Sequence, residues 1–209
     1  KSKLGRDPRW RQAVSLAVDR DRLATNLAGS PATTLVPPGT PDGDGGAAPC
    51  PTCDLDPARA RALLAKAKTA DNPVSLAVPS GAEARSLAAL LTKDLATAGI
   101  QLAPDPTPSG ETPVTLVRGV APYPRPDPFL TTPAAASPPA KRLLDQARAT
   151  ADDPARSALY QQTQARLLAD LTATPLVTEH HAAVLTAGPQ AFNLTPWNSL
   201  DLAAVSLPA

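Results

Sequence analysis

Two cysteines carry the only sulfur in the chain, spaced as Cys50-Pro-Thr-Cys53. That spacing suits a local disulfide, half of a zinc site, or a thiol–disulfide redox pair. Zinc normally takes four ligands, and no further cysteine is available to supply them. His180 and His181 are adjacent, so a strand would send them to opposite faces and only one could readily join a site. A redox pair wants its first thiol at a helix N-terminus directly after a strand, where the thiolate is stabilised. Here the motif lies in a Pro/Gly-rich loop, several residues before the next helix start at Asp56. A local disulfide is the leading expectation, with free thiols next and metal or redox chemistry last. It would place the protein outside a reducing cytoplasm, although so short a closed loop stabilises little beyond itself.

Nucleophilic catalysis finds less to work with. Ser80-Gly81 follows a strand pattern and precedes a helix pattern, but VPSGAE lacks the G-x-S-x-G frame that forms a nucleophile elbow. Ser80 is expected instead as a helix N-cap, with Glu83 closing a capping box. Glu179-His180 could act as an acid–base pair, yet no nucleophile stands in a recognisable setting, and no Gly-rich phosphate loop occurs. No catalytic residue, cofactor or resident metal is expected.

The stretch that invites a binding role is 114–130, VTLVRGVAPYPRPDPFL. It opens as a short alternating strand and then loses backbone donors at Pro122, Pro124, Pro126 and Pro128. Proline has no N–H and fixes its own φ, which excludes central strand and helix. A stiff extended loop leaving the sheet edge is expected, carrying Arg118, Tyr123, Arg125, Asp127 and Phe129. With only two tryptophans, two tyrosines and two phenylalanines in the chain, two rings in this stretch ask for a reason. One is the wall of a ligand site formed by Arg118, Tyr123, Arg125 and Asp127, with Trp197 as a more distant candidate; the blander one is a crossover pinned to the core by Phe129.

The elements that must position this stretch follow in order. Asp7-Pro8 and Asp56-Pro57 are N-cap plus N1-proline helix starts. The first helix sets Trp10, Val14 and Val18 on one face; Asp19 caps a further helical series that ends at Gly29. Arg9, Arg11, Arg20 and Arg22 are expected as solvated partners of the nearby aspartates. Residues 30–54 show no periodicity and form a long Pro/Gly-rich loop of the kind that is often functional. Val74, Leu76 and Val78 form a strand; 80–98 form a helix with Leu87, Leu90, Leu91 and Leu95 inward and Gly99 terminating it; Ile100 and Leu102 open the next strand. Parallel neighbours joined this way cross over right-handedly. Helices start near Ser137-Pro138 and at Asp153-Pro154. PLVTEHHAAVLTA is expected as extended chain, and the tail around Phe192 and Trp197 gives weak signals.

This order describes an α/β fold, a small mixed sheet with helices on at least one face. At 209 residues the chain suits a single domain or one large lobe. Twenty basic and 19 acidic residues, with no basic stripe, give no case for nucleic acid or an anionic membrane. The chain begins at Lys1 without Met, which reads as a processed or excised form. Twenty-six prolines cluster between periodic segments, the pattern of ordered loops.

A resemblance sharpens the expectation. DPRWRQAVSLAVDRDRLA resembles the "VRQAxxxAxDR" helix of the extracellular solute-binding proteins of family 5, the peptide, nickel and oligosaccharide receptors of ABC importers. Further along, DPARARALLAKA, LLTKDLATAGIQL, PYPRPDPFL and DDPARSALYQQTQARLLADLTATPLV are similar to that family's "DPxKAxxLLxxAG", "LQxxLxxxGIxV", "DYPDPDxFL" and "xxRxxLYxxxQxxLxxxxPxIPLY", in the same order. The resemblance implies a C-terminal lobe of periplasmic-binding-protein type II kind, residues 1–209. It further implies a missing N-terminal lobe of the same chain, a peptide, glycan or other small-molecule ligand enclosed between the lobes, and an ABC permease as partner. Extracellular or periplasmic location follows, with a lipoprotein anchor on the full-length protein. A cell-envelope protein of the same fold, repurposed to bind a protein or glycolipid, is the rival expectation. In peptide-binding relatives the Asp before the "DY" tyrosine contacts the peptide amino group; Pro122 stands there in this chain, beside Tyr123.

Overall fold

A computed structural model describes residues 7–43, 50–67, 73–107, 114–180, 191–194 and 200–206. Helix α1 (Pro8–Ala17) starts where Asp7 accepts from the Arg9 N–H, and α2 (Arg20–Asn26) where Asp19 accepts from Arg22 N–H. The aspartate side chains satisfy backbone donors that a first helical turn leaves unpaired. The helical series ends at Asn26 instead of reaching Gly29. Ala28 takes φ +49°, and Gly29 opens a strand, β1 (Gly29–Pro31), that the sequence pattern does not announce. Helix α3 (Pro57–Leu64) is capped by Asp56 and buries Ala60, with Leu63 and Leu64 packed at the margin of the core.

The βαβ unit forms as expected. Strand β2 (Val74–Ala77) leads through α4 (Ala82–Thr97) to β3 (Leu102–Asp105), paired in parallel with β2. Gly99 ends the helix at φ +90°, a conformation that a Cβ would strain. The capping box is not made: Ser80 is exposed, Gly81 occupies the N-cap position, and no side chain caps the helix. Glu83 is engaged elsewhere. Strand β4 (Val114–Thr115) adds to the other side of β2, giving a parallel sheet in the order β3-β2-β4.

Residues beyond β4 depart from the expected extended loop. Proline is tolerated in a first helical turn, where the missing N–H would have no partner anyway. Helix α5 (Asp127–Ala134) accordingly begins on Asp127-Pro128, and it runs on past Pro133 through a stretch the sequence left unassigned. Helices α6 (Pro138–Ala149) and α7 (Asp153–Asp170) follow; Asp152, one residue earlier than expected, caps α7 by accepting from Ala155 N–H. Strand β5 (Val177–Glu179) returns to pair antiparallel with β1, Gly29 opposite Glu179. Strands β6 (Ala191–Leu194) and β7 (Leu200–Ser206) pair antiparallel in the tail, where no strand was expected. Parallel and antiparallel pairing thus occupy separate ladders of one α/β fold, about half of it helix.

Among the described residues the interior divides into two large cores and a small cluster of Cys50, Cys53 and Leu168. Trp10, Leu16, Leu23, Leu76, Leu91 and Ile100 belong to a core between α1, α2, α4 and the parallel sheet. A second core joins Leu130 of α5, Leu144 of α6, and Tyr160 and Leu167 of α7 to Val36. Ala140 and Ala147 are fully buried in it, so α6 and α7 approach closely through small side chains. Val36 belongs to the 30–54 loop, which is folded onto α7: Gln164 Oε1 accepts from Leu35 N–H at 2.9 Å and Val36 N–H at 2.7 Å. Arg156 forks onto Asp42 Oδ2 at 2.8 and 3.0 Å.

One expectation about charge is overturned. Arg20 is not a solvated partner of aspartates; it is 4% exposed. Its guanidinium donates to the carbonyls of Ser15, Val18, Cys53 and Pro175 and to Ser15 Oγ, at 2.6–3.4 Å. Burial pulls it well below the ordinary guanidinium range, down to about 10, opposed by the nearby charge of Asp54. Arg22 also turns inward, pairing with buried Asp94 of α4, whose carboxyl is raised mainly by burial. Arg11 donates to the carbonyl of Asp170 at 2.8 Å. Helix C-termini, such as Ser15 in α1 and Asp170 in α7, and the bend at Val18 leave carbonyls to satisfy, and the long cationic side chains reach them.

Candidate functional site

Strands of a parallel sheet end on one edge, and groups placed just beyond that edge converge. Two elements of this chain do so. From β2 the chain passes into the first turn of α4, which carries Glu83; from β4 it passes into residues 116–126. Arg118, expected on the binding surface, lies between them. It pairs with Glu179 of β5 and lies 3.7 Å from Glu83 Oε2. The Glu83 side chain therefore joins a cluster at the sheet edge instead of closing a capping box.

After Arg118 the backbone presses onto the ring of Phe129. A Cβ built at Gly119 would stand 3.1 Å from Phe129 Cδ1, tighter than ordinary van der Waals contact. Phe129 in turn packs on the helical core, so the expected pinning by this ring is observed. Next, Tyr123 O accepts from Arg125 N–H at 2.9 Å, a three-residue turn around Pro124 that folds the proline segment back on itself. The turn leaves Tyr123 44% exposed. Its hydroxyl donates to Asp127 Oδ2 at 2.8 Å, and Arg148 of α6 approaches the same oxygen at 3.4 Å and donates to Thr131 Oγ1. Asp127 is buried, so its position in the first turn of α5 fixes the tyrosine from below.

Arg125 is exposed, and its positive charge reaches buried Tyr160 of α7. The structure thus brings Tyr123, Arg125 and Asp127 together above α5 and α7, and sets Arg118 beside them at the sheet edge. Trp197 and His181 lie outside the described residues. Cys50 and Cys53 are paired in space, Cα–Cα 5.3 Å, on the bend between α1 and α2. Ser15 Oγ donates there to Thr52 O at 2.9 Å, and Arg20 to Cys53 O at 2.6 Å. Sequence patterns missed Arg148, Thr131 and Tyr160 as parts of this cluster. Arg148 lies on a helix face that reads as ordinary solvated surface, and Tyr160 reads as core.

Both tyrosines ionise later than usual. Tyr123 is raised chiefly by its hydrogen bond to Asp127; Tyr160 is raised by burial and then by the charge of Asp127, with Arg125 working in the opposite direction. A raised tyrosine favours its neutral form in the folded state. The contribution is fully present below the unfolded value near 10 and is lost as pH rises through the folded value. In a Tyr160→Phe background, absorbance titration is expected to show Tyr123 alone ionising above its ordinary range. Asp127→Asn is expected to bring it back toward that range. A Tyr123 titration unmoved by Asp127→Asn would refute the hydrogen bond as its cause.

Residues 1–141 match the family described as bacterial extracellular solute-binding proteins, family 5 Middle. The chain belongs to that family. No curated protein sequence matches it. Among solved structures it is similar to HbpA2 of Haemophilus parasuis, with TM-score 0.82, 21% identity, and coverage of 100% of this chain and 46% of that one. It is similar also to the murein tripeptide binding protein MppA of Escherichia coli, with TM-score 0.73, 19% identity, and 86% and 40% coverage. NikA of Brucella suis, solved with Fe(III)-EDTA, aligns with TM-score 0.68, 22% identity, and 83% and 42% coverage. At these identities the likeness is one of fold. The chain spans less than half the length of each of these structures.

Proposed function

We propose that this chain is the C-terminal lobe of a two-lobed solute receptor of an ABC importer and that it binds without reacting. Ligand would be held at the sheet edge by Tyr123, with Arg118, Arg125 and Asp127 around it and Trp197 as a further ring. The observation that carries this reading is Tyr123. A ring at the carboxyl edge of a parallel sheet is left half-exposed, yet its hydroxyl is fixed by a buried carboxylate. That is an aromatic surface prepared for contact. Sequence family and fold support a receptor, and coverage of under half of similar structures supports an absent second lobe.

The protein would work outside the cytoplasm, lipid-anchored in its full-length form, with an ABC permease as partner. Pairing of Cys50 with Cys53 as a disulfide agrees with that compartment. Alkylation of the denatured, unreduced protein is expected to leave both thiols unmodified; labelling of either would remove the disulfide. Among the described residues no helix is long and apolar enough to cross a membrane.

The test of the receptor reading is a calorimetric and thermal-shift screen of the full-length protein against peptides, oligosaccharides and envelope glycolipids. A saturable ligand is expected, with Tyr123→Ala weakening it about ten-fold through loss of a ring contact. Absence of any small-molecule ligand would defeat the reading. A second reading, the repurposed envelope protein, draws on one observation: Val117 and Val120 are 60% and 69% exposed beside Tyr123. Capture of a specific envelope partner without small-molecule binding would favour it.

A further inference from the structure

The 30–54 loop is fastened to α7 through one aspartate. Asp42 Oδ2 accepts from Arg156 Nε at 3.0 Å and Nη2 at 2.8 Å, and Ser157 Oγ donates to the Asp42 carbonyl at 3.2 Å. Arg156 is itself buried and held in place: it pairs with Asp153 and donates from Nη1 to the carbonyl of Ala151 at 3.2 Å. The residue after Asp42 has no room for a side chain. A Cβ at Gly43 would stand 2.7 Å from Val36 Cγ1 and 3.1 Å from the Thr40 carbonyl oxygen, an approach that only glycine allows. Gly43 N–H donates to that same oxygen at 2.9 Å. Asp42 takes φ +63°, a left-handed conformation that aspartate tolerates better than most residues. The fold thus requires Asp-Gly at this point, aspartate to meet Arg156 and glycine to clear Val36. Asp-Gly is also the dipeptide that cyclises most readily, because no side chain shields the second nitrogen.

We infer that Asp42-Gly43 is a latent aspartyl-isomerisation site, held unreactive by Arg156 and by the turn at Thr40. In the reaction the Gly43 nitrogen attacks Cγ of Asp42. A nitrogen–carbon bond forms, a carboxyl carbon–oxygen bond breaks, and the oxygen leaves as water with the protons of the carboxyl and the amide. Water then opens the cyclic imide at either carbonyl. One opening restores aspartate; the other leaves the main chain running through Cγ as isoaspartate. One water is lost and one regained, and nothing is oxidised. In the folded chain both reacting groups are occupied: the carboxylate by two charge-assisted hydrogen bonds, the amide by the Thr40 carbonyl. Reaction therefore waits on local opening of the loop. Isoaspartate lengthens the main chain by one carbon and moves the carboxylate, so the fit to Arg156 is lost and the loop no longer closes on α7.

The experiment ages the full-length protein at neutral pH, once in native buffer and once in urea, and follows isoaspartate by peptide mapping with electron-transfer fragmentation. Asp44-Gly45, the same dipeptide two residues on, calibrates the unfolded rate. In urea the two sites are expected to isomerise at similar rates. In native buffer Asp42 is expected to react at least about ten-fold more slowly than in urea, since only the opened fraction reacts. Arg156→Gln should raise the native rate at Asp42 about ten-fold, with folding checked by circular dichroism. If that variant does not fold, Arg156→Lys, which keeps the charge without the fork, serves in its place and should raise the rate in the same direction. Native Asp42 reacting as fast as in urea overturns the inference. So does a folded Arg156 variant whose Asp42 rate matches the parent protein.

Discussion

Arg20→Ala is expected to lower the unfolding free energy by at least about 3 kcal/mol, because four backbone carbonyls lose a charged donor inside the protein. Ser15 lies in the last turn of α1, Val18 in the bend that follows, Cys53 in the cysteine loop, and Pro175 ahead of β5; one guanidinium satisfies all of them. Arg20→Lys should recover little, since an ammonium offers a compact point charge where the site requires a planar fork. Ionisation does not help at neutral pH. The folded value near 10 lies below the ordinary guanidinium range, so the linkage favours folding only as pH rises from there toward that range. Below it, hydrogen bonding and the nearby charge of Asp54 offset the burial of the guanidinium. Urea unfolding monitored by circular dichroism measures the loss. A change under about 1 kcal/mol would show that water replaces the side chain in the cage.

Gln164→Leu is the second large effect, with an expected loss of roughly 2–4 kcal/mol for two orphaned backbone N–H groups. Gln164 is 2% exposed, and its single oxygen receives both Leu35 and Val36 N–H. Leucine matches the volume, so the loss isolates hydrogen bonding from packing. Its consequence should be local as well as global: amide exchange at 35 and 36 rises before that of α7, because the loop is released while the helix keeps its own bonds. Unchanged protection at those amides would mean that another acceptor holds the loop.

Most helices and the parallel sheet were legible because their signals are local; α5 was not, since its prolines read as an extended loop. Asp-Pro starts, an apolar stripe ending at Gly99, and alternation at Val74, Leu76 and Val78 each act within a few residues. Strand β1 was not legible, since Gly29, Ser30 and Pro31 have no strand character and pair only because β5 arrives beside them. Ser80 failed as a cap for a similar reason: Glu83 has a distant competitor in Arg118. Arg20 is the sharpest case. Its chain neighbours are aspartates, and nothing near it in sequence marks the carbonyls of Cys53 and Pro175, which arrive from elsewhere to join those of Ser15 and Val18. At the candidate site, the break in strand after β4 followed from the prolines, whereas the turn around Pro124, the helix begun at Asp127 and the charge partners from α4, α6 and β5 did not.

The rung between Gly29 and Glu179 has a bearing on the order of assembly. Closing so wide a span costs loop entropy that local pairing cannot recover. During synthesis the amino-terminal helices can coil early, but their last strand has no mate until nearly the whole stretch to Glu179 has emerged. Until then the backbone groups of 29–31 lack their strand partner, so this edge closes late by topology, whatever its local strand propensity.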